Sequence, residues 1–206
     1  MSNNLTNTET RSPDADADHV AAARNGDLDA FEALVLKHQR RMLNIALRLT
    51  NDYDDACEVV QDAFVSAYKK LGTFRGDSKF TTWLTAITVN LSKNRLRASK
   101  IRRMREPVSL DAPIATEDGE VMPDPPSQEP LVLDRMIQKD TQKAVQHCIS
   151  VLEPDFREAL VLRDIQGFAY DEISGMLKVR EGTVKSRIFR ARESVKECLK
   201  KVLGSL

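Results

Sequence analysis

The sequence predicts an all-α protein in which two small helical domains are joined by a flexible acidic linker. Apolar residues recur at helical spacing, and no segment alternates convincingly with the period of two that is typical of strands. Six of the eight prolines lie between Pro107 and Pro130, which disfavours a helix there. The 31 acidic and 31 basic residues balance, but they are segregated along the chain, so the neutral total conceals strong local charge.

The first domain, residues 19–105, is predicted to contain three amphipathic helices. Residues 1–18 are polar and acidic with little to bury, so we expect a disordered tail and no signal peptide. A long apolar stripe follows from about Val20, and Asn51 and Asp52 interrupt it and supply the N-cap of a second helix that Gly72 ends. A third helix begins near Phe80 and continues into residues 93–105, which hold seven basic and no acidic residues.

The linker and the second domain follow from charge and helix signals. Residues 107–134 hold seven acidic and no basic residues, which predicts an extended linker over residues 106–134. In the second domain, residues 135–206, Pro154 is well placed at the first position of a helix. A short helix over residues 170–177 and a long one from Glu181 to about Val202 complete the domain.

The last two helices predict a helix-turn-helix DNA reader over residues 170–189 and onward. The motif GTVKSRIFRAR, residues 182–192, opens the second of these helices. Residues 178–201 hold nine basic and three acidic residues. An α-helix fits the DNA major groove, where Arg and Lys bond to guanine edges, so this helix is the candidate groove reader.

Several classes of site are disfavoured by composition. Cys57, Cys148 and Cys198 have no metal-ligand spacing and sit in apolar helical patterns, so we expect buried free thiols in a reducing cytoplasm. The three histidines form no acid–base or metal constellation, and no P-loop or nucleophile motif is present. The sequence therefore predicts a cytoplasmic protein that is not an enzyme, with no metal, cofactor or small-molecule substrate. No apolar run approaches the ~20 residues that a membrane span needs.

Three blocks in this order resemble bacterial RNA polymerase sigma factors of the sigma-70 family. The blocks are DDACEVVQDAF (residues 54–64), FRGDSKFTTWL (residues 74–84) and residues 182–192. The similarity is to the small, two-domain extracytoplasmic-function (ECF) subgroup and covers roughly residues 27–199. It implies that the first domain is sigma region 2, which binds core polymerase and the −10 promoter element. It also implies that the second is region 4, which binds the −35 element and the β flap of polymerase.

The resemblance assigns the polymerase contact to the second helix. Its acidic surface could simply be a solvated helix face, and the residues alone favour that reading. In the family this helix docks on the basic β′ clamp of the polymerase. The implied core-binding segment is residues 58–71, with Glu58, Gln61 and Asp62 as its contacts.

The loop at residues 73–78 and the third helix combine aromatic and basic residues, as single-stranded DNA sites do. The alternative is that its aromatic residues are core, and this is favoured for Phe80; Asn90 could likewise be a structural hydrogen-bonder. The resemblance implies a pocket for a base turned out of the −10 non-template strand, with Phe74 and Asn90 at that pocket. The full set of candidate −10 residues is Phe74, Arg75, Trp83, Asn90, Lys93 and Arg97.

The resemblance also implies specific roles on the helix-turn-helix. The implied groove readers are Lys185, Ser186, Phe189 and Arg190, while Arg163 and Arg192 are expected to hold phosphates, and Arg187 can do either. Thr183, early in the same helix, completes the set of candidate −35 residues.

Two further features remain open at this stage. The acidic linker could be a solubilising tether, or it could thread through the polymerase near the active site and RNA exit path, as in the family. Relatives are often held inactive by an anti-sigma factor, frequently membrane-anchored, although no residue here identifies one.

The competing hypothesis is a free-standing helix-turn-helix regulator, which would have no use for the aromatic loop and the acidic helix.

Overall fold

The computed structural model describes residues 14–105 and 132–204, and these form α-helices joined by turns. The helices are α1 (Ala17–Arg24), α2 (Leu28–Thr50), α3 (Tyr53–Lys70), α4 (Phe80–Arg105), α5 (Val132–Ser150), α6 (Pro154–Leu160), α7 (Tyr170–Leu177) and α8 (Glu181–Leu203). No strand occurs within the described ranges. The all-α prediction is confirmed.

The first domain packs α2, α3 and α4 around a shared apolar core. The side chains of Met42, Ile45 and Phe80 are fully buried between these helices. Asn51 ends α2 in the left-handed conformation, with φ at 59°, and the Asp52 carboxylate then accepts a 2.8 Å hydrogen bond from the backbone N–H of Asp55. The N-cap that Asn51 and Asp52 predict is therefore present, and it turns the chain sharply between α2 and α3.

The segment before α2 is more structured than its composition suggests. α1 begins at Ala17, inside the range 1–18 that is predicted as a tail, and packs along α2. Residues 1–13 lie outside the described part of the chain. Asp14 and Asp16 are hydrogen-bonded to residues far away in sequence, and this long-range pairing is invisible to a composition-based argument.

The second domain consists of α5 to α8, with α8 packed against α5, α6 and α7. Pro154 is the first residue of α6, where its missing N–H costs nothing. A π-helical turn at Val161–Ile165 extends α6, and Gly167, at φ 78°, reverses the chain toward α7. Of the range 106–134 predicted as linker, residues 106–131 lie outside the described residues and the remainder belongs to α5.

The prediction of three free thiols is wrong. The structure joins Cys148 of α5 to Cys198 of α8 in a disulfide, with their Cα atoms 5.6 Å apart. Cys57 is a free, half-buried thiol on α3. Helical spacing indicates that a cysteine faces the core, but only the packing of α5 on α8 shows which cysteines meet across 50 residues of sequence.

The two domains pack against each other along α2 and α4. The guanidinium of Arg41 donates to both the side chain and the backbone carbonyl of Gln166, at 3.0 and 2.9 Å. Arg157 of α6 is only 7% exposed and donates 3.0 Å to the carbonyl of Leu49 at the end of α2. These contacts place α7 of the helix-turn-helix beside the start of α4.

Candidate nucleic-acid and polymerase interfaces

The helix-turn-helix is formed by α7 and α8. Lys178 ends α7 in the left-handed conformation, with φ at 55°, and the turn then leads into α8 at Glu181. One face of α8 packs inward through Val184, Ile188 and Ala191, which are buried. The opposite face of the first turns of α8 is consequently presented outward, as groove insertion requires.

The predicted groove readers lie on this outward face. Lys185, Ser186, Phe189 and Arg190 are all exposed, and Thr183 is half-buried. Phe189 is 67% exposed, although a large aromatic side chain ordinarily seeks the core. The Ser186 hydroxyl donates 2.9 Å to the carbonyl of Thr183. The exposed face thus offers cationic, hydroxyl and aromatic groups together, the types that read base edges and thymine methyls.

The arginines predicted to hold phosphates, together with Arg187, for which either role is open, make contacts within the domain. Arg187 pairs with Asp155, and Arg192 pairs with Asp164 at 2.6 Å. The Arg163 guanidinium lies 4.6 Å from the centre of the Tyr170 ring and donates 2.8 Å to the carbonyl of Phe168. These contacts fix the orientation of the guanidinium groups beside the recognition helix. A guanidinium that is already held in place loses less conformational freedom when it meets a phosphate.

The loop before α4 leads into an aromatic cluster. Phe74 is 7% exposed, and its ring centre lies 5.0 Å from that of Trp83 and 6.1 Å from that of Phe80. Trp83 is half-buried, while Arg75 is exposed. Phe80 is fully buried, as predicted. Phe74 is also buried, and it is less accessible than a side chain at the rim of an open pocket would be.

Three of the predicted −10 residues share one face of α4. Trp83, Asn90 and Arg97 are spaced seven residues apart, which places them one above another on a helix. Asn90 and Arg97 are exposed on this stripe. The exposed amide at Asn90 makes no contribution to the core, so burial does not explain its presence on this face of α4.

Lys93 lies off this stripe and faces the second domain. Its Nζ is 2.7 Å from Oε2 of Glu158, a residue that is 2% exposed. Burial raises the pKa of Glu158 above its ordinary value, although the hydrogen bond and charge of Lys93 oppose this rise. The positive charge of Lys93 is therefore compensated while the domains are packed together.

A cleft of about 710 Å³ separates the loop from α7. Lys79 and Trp83 line it on the side of the first domain, and Asp171 and Glu172 line it on the side of the second. One Glu172 oxygen accepts 2.9 Å from the Thr82 hydroxyl, and the other accepts 3.0 Å from the backbone N–H of Ala169. Acidic groups of the helix-turn-helix thus share the cleft with Lys79 and Trp83, while the loop itself contributes Asp77 and Ser78.

The acidic surface predicted for polymerase binding lies on the exposed face of α3. Glu58, Gln61 and Asp62 are exposed, and Glu58 pairs with Arg95 of α4 at 2.6 Å. Val65 and Tyr68 continue the same face and are nearly half exposed, which sequence reasoning did not single out. Exposed apolar side chains bordered by polar groups are typical of a protein-interaction surface, so the exposure of these two residues is what adds them to the predicted face.

Metal and membrane sites find no support in the described part of the chain. Within residues 14–105 and 132–204, no group of three or more His, Cys, Asp or Glu side chains is placed to hold a metal ion. None of the described helices is long and apolar enough to cross a membrane.

Both domains match known families. Residues 34–101 match the model of Sigma-70 region 2, and residues 142–195 match that of Sigma-70 region 4. The chain is 37% identical over 186 residues to the RNA polymerase sigma-H factor of Pseudomonas aeruginosa, covering 89% of this chain and 93% of that protein. It belongs to the sigma-70 family of RNA polymerase sigma factors, in the ECF group. The ECF RNA polymerase sigma-E factor of Escherichia coli K12 is 36% identical over 176 residues, which cover 85% of this chain and 90% of the relative.

Solved structures agree with this assignment. A structure of CnrH in complex with the cytosolic domain of CnrY aligns with 91% of this sigma factor and 99% of that chain, at a TM-score of 0.63 and 25% identity. The sigma factor RpoE of Bartonella quintana, in complex with the anti-sigma factor NepR, aligns with 82% of this sigma factor and 96% of that chain, at a TM-score of 0.59 and 25% identity. The protein is therefore a transcription initiation factor that directs core RNA polymerase to promoter DNA.

Sequence reasoning missed the polar groups that join the two domains of this sigma factor. Arg157, Glu158 and Glu172 occupy positions that a helical pattern treats as ordinary surface, yet Arg157 and Glu158 are buried. Their partners lie on helices of the other domain. No local signal identifies such residues, because burial of a charge depends on a distant counterpart.

Proposed function

We propose that this sigma factor reads two separated promoter elements, each with one domain, while the exposed face of α3 binds core polymerase. Region 2 would span residues 19–105 and region 4 residues 135–206, with residues 106–134 between them. The observation that carries the proposal is the coexistence, on one chain, of an outward recognition helix and the Trp83–Asn90–Arg97 stripe. A simple repressor needs only the first of these two surfaces.

Region 4 would bind the −35 duplex through α8. Lys185, Ser186, Phe189 and Arg190 face outward together, and base contacts concentrate at the start of a recognition helix. Arg163 and Arg192 flank them as phosphate ligands, which set the position of the helix without specifying sequence, while Arg187 would contact either a phosphate or a base.

Replacing Arg190 with Ala is expected to weaken promoter binding by about 1–3 kcal/mol and to relax selection at one or two −35 positions. The measurement is the affinity of the holoenzyme for promoter fragments carrying each single base change in the −35 element. Lys201→Ala, exposed near the far end of the same helix, is the matched control. Unchanged base preference in Arg190→Ala would contradict the assigned role.

Region 2 would hold the unpaired non-template strand of the −10 element. Arg75 and Arg97 supply exposed cations for phosphates, while Trp83 and Asn90 offer a ring face and an amide for bases. Phe74 would form the enclosed wall behind them. Melting then needs no catalysis, because a ligand that prefers the open strand shifts the equilibrium toward it.

Asn90→Ala is expected to reduce open-complex formation while core binding stays intact, because the amide contacts only the unpaired strand in this proposal. Permanganate reactivity of promoter thymines measures the opening, and co-purification with core polymerase measures binding. Asn25→Ala, an exposed amide at the end of α1, serves as the control. Equal thymine reactivity in Asn90→Ala and the unsubstituted protein would refute the role.

Core polymerase would dock on residues 58–71 of α3 and the following turn. Glu58, Gln61 and Asp62 supply charge for the basic β′ clamp, and Val65 and Tyr68 add apolar area beside them. Region 4 would additionally meet the β flap. We propose that the protein works in the cytoplasm, without a cofactor, a small-molecule substrate or catalytic activity of its own.

An anti-sigma factor is a further proposed partner. The two similar structures contain a sigma factor bound to NepR and CnrH bound to the cytosolic domain of CnrY. A protein that covers the interdomain cleft and the α3 face would block both promoter and polymerase contacts at once. Such a partner could be membrane-anchored.

The test of the proposed function is reconstitution with core RNA polymerase. Sequencing the transcripts made from genomic DNA should reveal new, defined start sites preceded by shared −35 and −10 sequences. A pull-down with core polymerase separates this function from the free-standing regulator, which would bind DNA alone. Failure to bind core or to produce new start sites would overturn the proposal.

A further inference from the structure

The segment before α2 contacts both ends of the loop that precedes α4. On one side, Oδ2 of Asp14 accepts a 2.7 Å hydrogen bond from the backbone N–H of Phe80, the first residue of α4. On the other side, α1 packs against the turn Leu71–Thr73, which leads into the loop. One short segment therefore braces the entry and the exit of the loop proposed to capture a −10 base.

Asp16 anchors this segment to α2. Its side chain is buried, with Oδ1 2.5 Å from Nζ of Lys37 and Oδ2 2.8 Å from Nε2 of His38. Burial acts to raise the pKa of Asp16, but the hydrogen bonds and charges of Lys37 and His38 outweigh it and lower the pKa. The carboxylate is thus held ionised, and a buried ionised group with two partners strongly resists displacement.

The anchor continues into the aromatic cluster. The His38 ring centre lies 5.6 Å from that of Phe80, which in turn lies 5.9 Å from Trp83 and 6.1 Å from Phe74. Because Phe80 is fully buried, a shift of its backbone displaces Phe74 and Trp83 as well. Asp14 holds that backbone by capping an N–H that α4 cannot satisfy internally.

We propose that Asp14 and Asp16 are positioning residues for capture of the −10 non-template strand. Neither carboxylate needs to touch DNA. Asp14 fixes the first turn of α4, Asp16 fixes the segment that carries Asp14, and the loop is held ready before the strand opens. A pre-ordered loop binds an unpaired strand more tightly, because less conformational entropy is lost at the moment of capture. This inference rests on the proposed function of region 2.

The test uses the full chain with core polymerase, on the promoters mapped by the transcription experiment. Asp14→Ala should lower open-complex formation about fivefold, the factor expected for loss of a helix-capping hydrogen bond. Core binding and affinity for a −35 duplex fragment should stay within about twofold of the unsubstituted protein. Asp14→Asn keeps an acceptor oxygen and should restore most of the opening. Asp18→Ala, exposed on the first turn of α1, is the control and should open promoters normally.

Three results would overturn the inference. Asp14→Ala could open promoters normally, or it could lose core and −35 binding to the same extent as opening, which indicates general destabilisation. Asp14→Asn could be as defective as Asp14→Ala, which would exclude the capping hydrogen bond. If the unsubstituted protein itself failed to open any promoter, the proposed function would fall as well, and that outcome is distinct from a defect confined to the variants.

Discussion

Replacing Arg157 with Ala is expected to lower the free energy of unfolding by about 3–5 kcal/mol. The Arg157 guanidinium donates to three backbone carbonyls, those of Leu49 at 3.0 Å, Ser150 at 2.5 Å and Leu152 at 2.8 Å. Burial lowers the pKa of Arg157, but an arginine starts from so high a value that it stays charged. Its removal leaves the carbonyls of Leu49 and Leu152 without this donor, which costs desolvation free energy, whereas the Ser150 carbonyl still accepts from the Asn51 amide at 3.0 Å.

Urea unfolding followed by circular dichroism measures this loss. Arg180→Ala is the matched control, because Arg180 is exposed in the turn before α8, and its removal should change stability by less than about 0.5 kcal/mol. Arg157→Lys should fall between the two, since a single ammonium cannot reach the carbonyls with the same fixed fork. A loss for Arg157→Ala no larger than that of the control would show that the buried contacts do not form in solution.

Cys148→Ser is expected to lower the free energy of unfolding by about 4 kcal/mol under oxidising conditions. The disulfide with Cys198 closes a chain segment of 50 residues, and in the chain-entropy model such a cross-link restricts the unfolded state by this amount. The bridge also ties α8, the proposed recognition helix, to α5. A reducing agent should remove the difference between the unsubstituted protein and the variant.

The measurement is thermal unfolding with oxidised glutathione or with dithiothreitol present. When the Cys148 and Cys198 thiols form the disulfide, they lose two electrons and two protons. Oxidised glutathione accepts both and is reduced to two glutathione thiols. Cys57→Ser is the control and should respond to the two reagents as the unsubstituted protein does, because Cys57 is a free thiol. A melting temperature of the unsubstituted protein that does not depend on reductant would contradict a disulfide in solution.

The sequence predicted the helices because each of their signals is local. The apolar spacing that predicts α2 and α3, the cap supplied by Asn51 and Asp52, and Pro154 at the start of α6 depend only on residues within a few turns. The outward face of α8 follows in the same way, since burying Val184, Ile188 and Ala191 leaves Lys185 and Arg190 on the other side. The roles of these residues in binding promoter DNA remain predictions.

Other features could not be predicted, because their partners lie in distant parts of the chain. Glu172 looks like a capping acid of α7, yet it also accepts a hydrogen bond from Thr82, a residue of the other domain. Asp14 lies in a segment whose composition resembles a tail, and its partner is 66 residues away. Composition indicates what a segment can bury by itself. It carries no information about the surface against which that segment packs in the folded protein.

By itself, the sequence determined an all-helical chain with a basic segment in each of its two domains and a helix-turn-helix, together with membership in a family of promoter-directing factors. Tertiary structure alone decided which cysteines pair, that Glu158 lies buried against Lys93, and that an N-terminal carboxylate braces the loop before α4. The physical reason is the distance along the chain over which each effect acts. Helix periodicity and capping act over a few residues, whereas the burial and pairing of charges and thiols are set by whatever the completed fold brings alongside them.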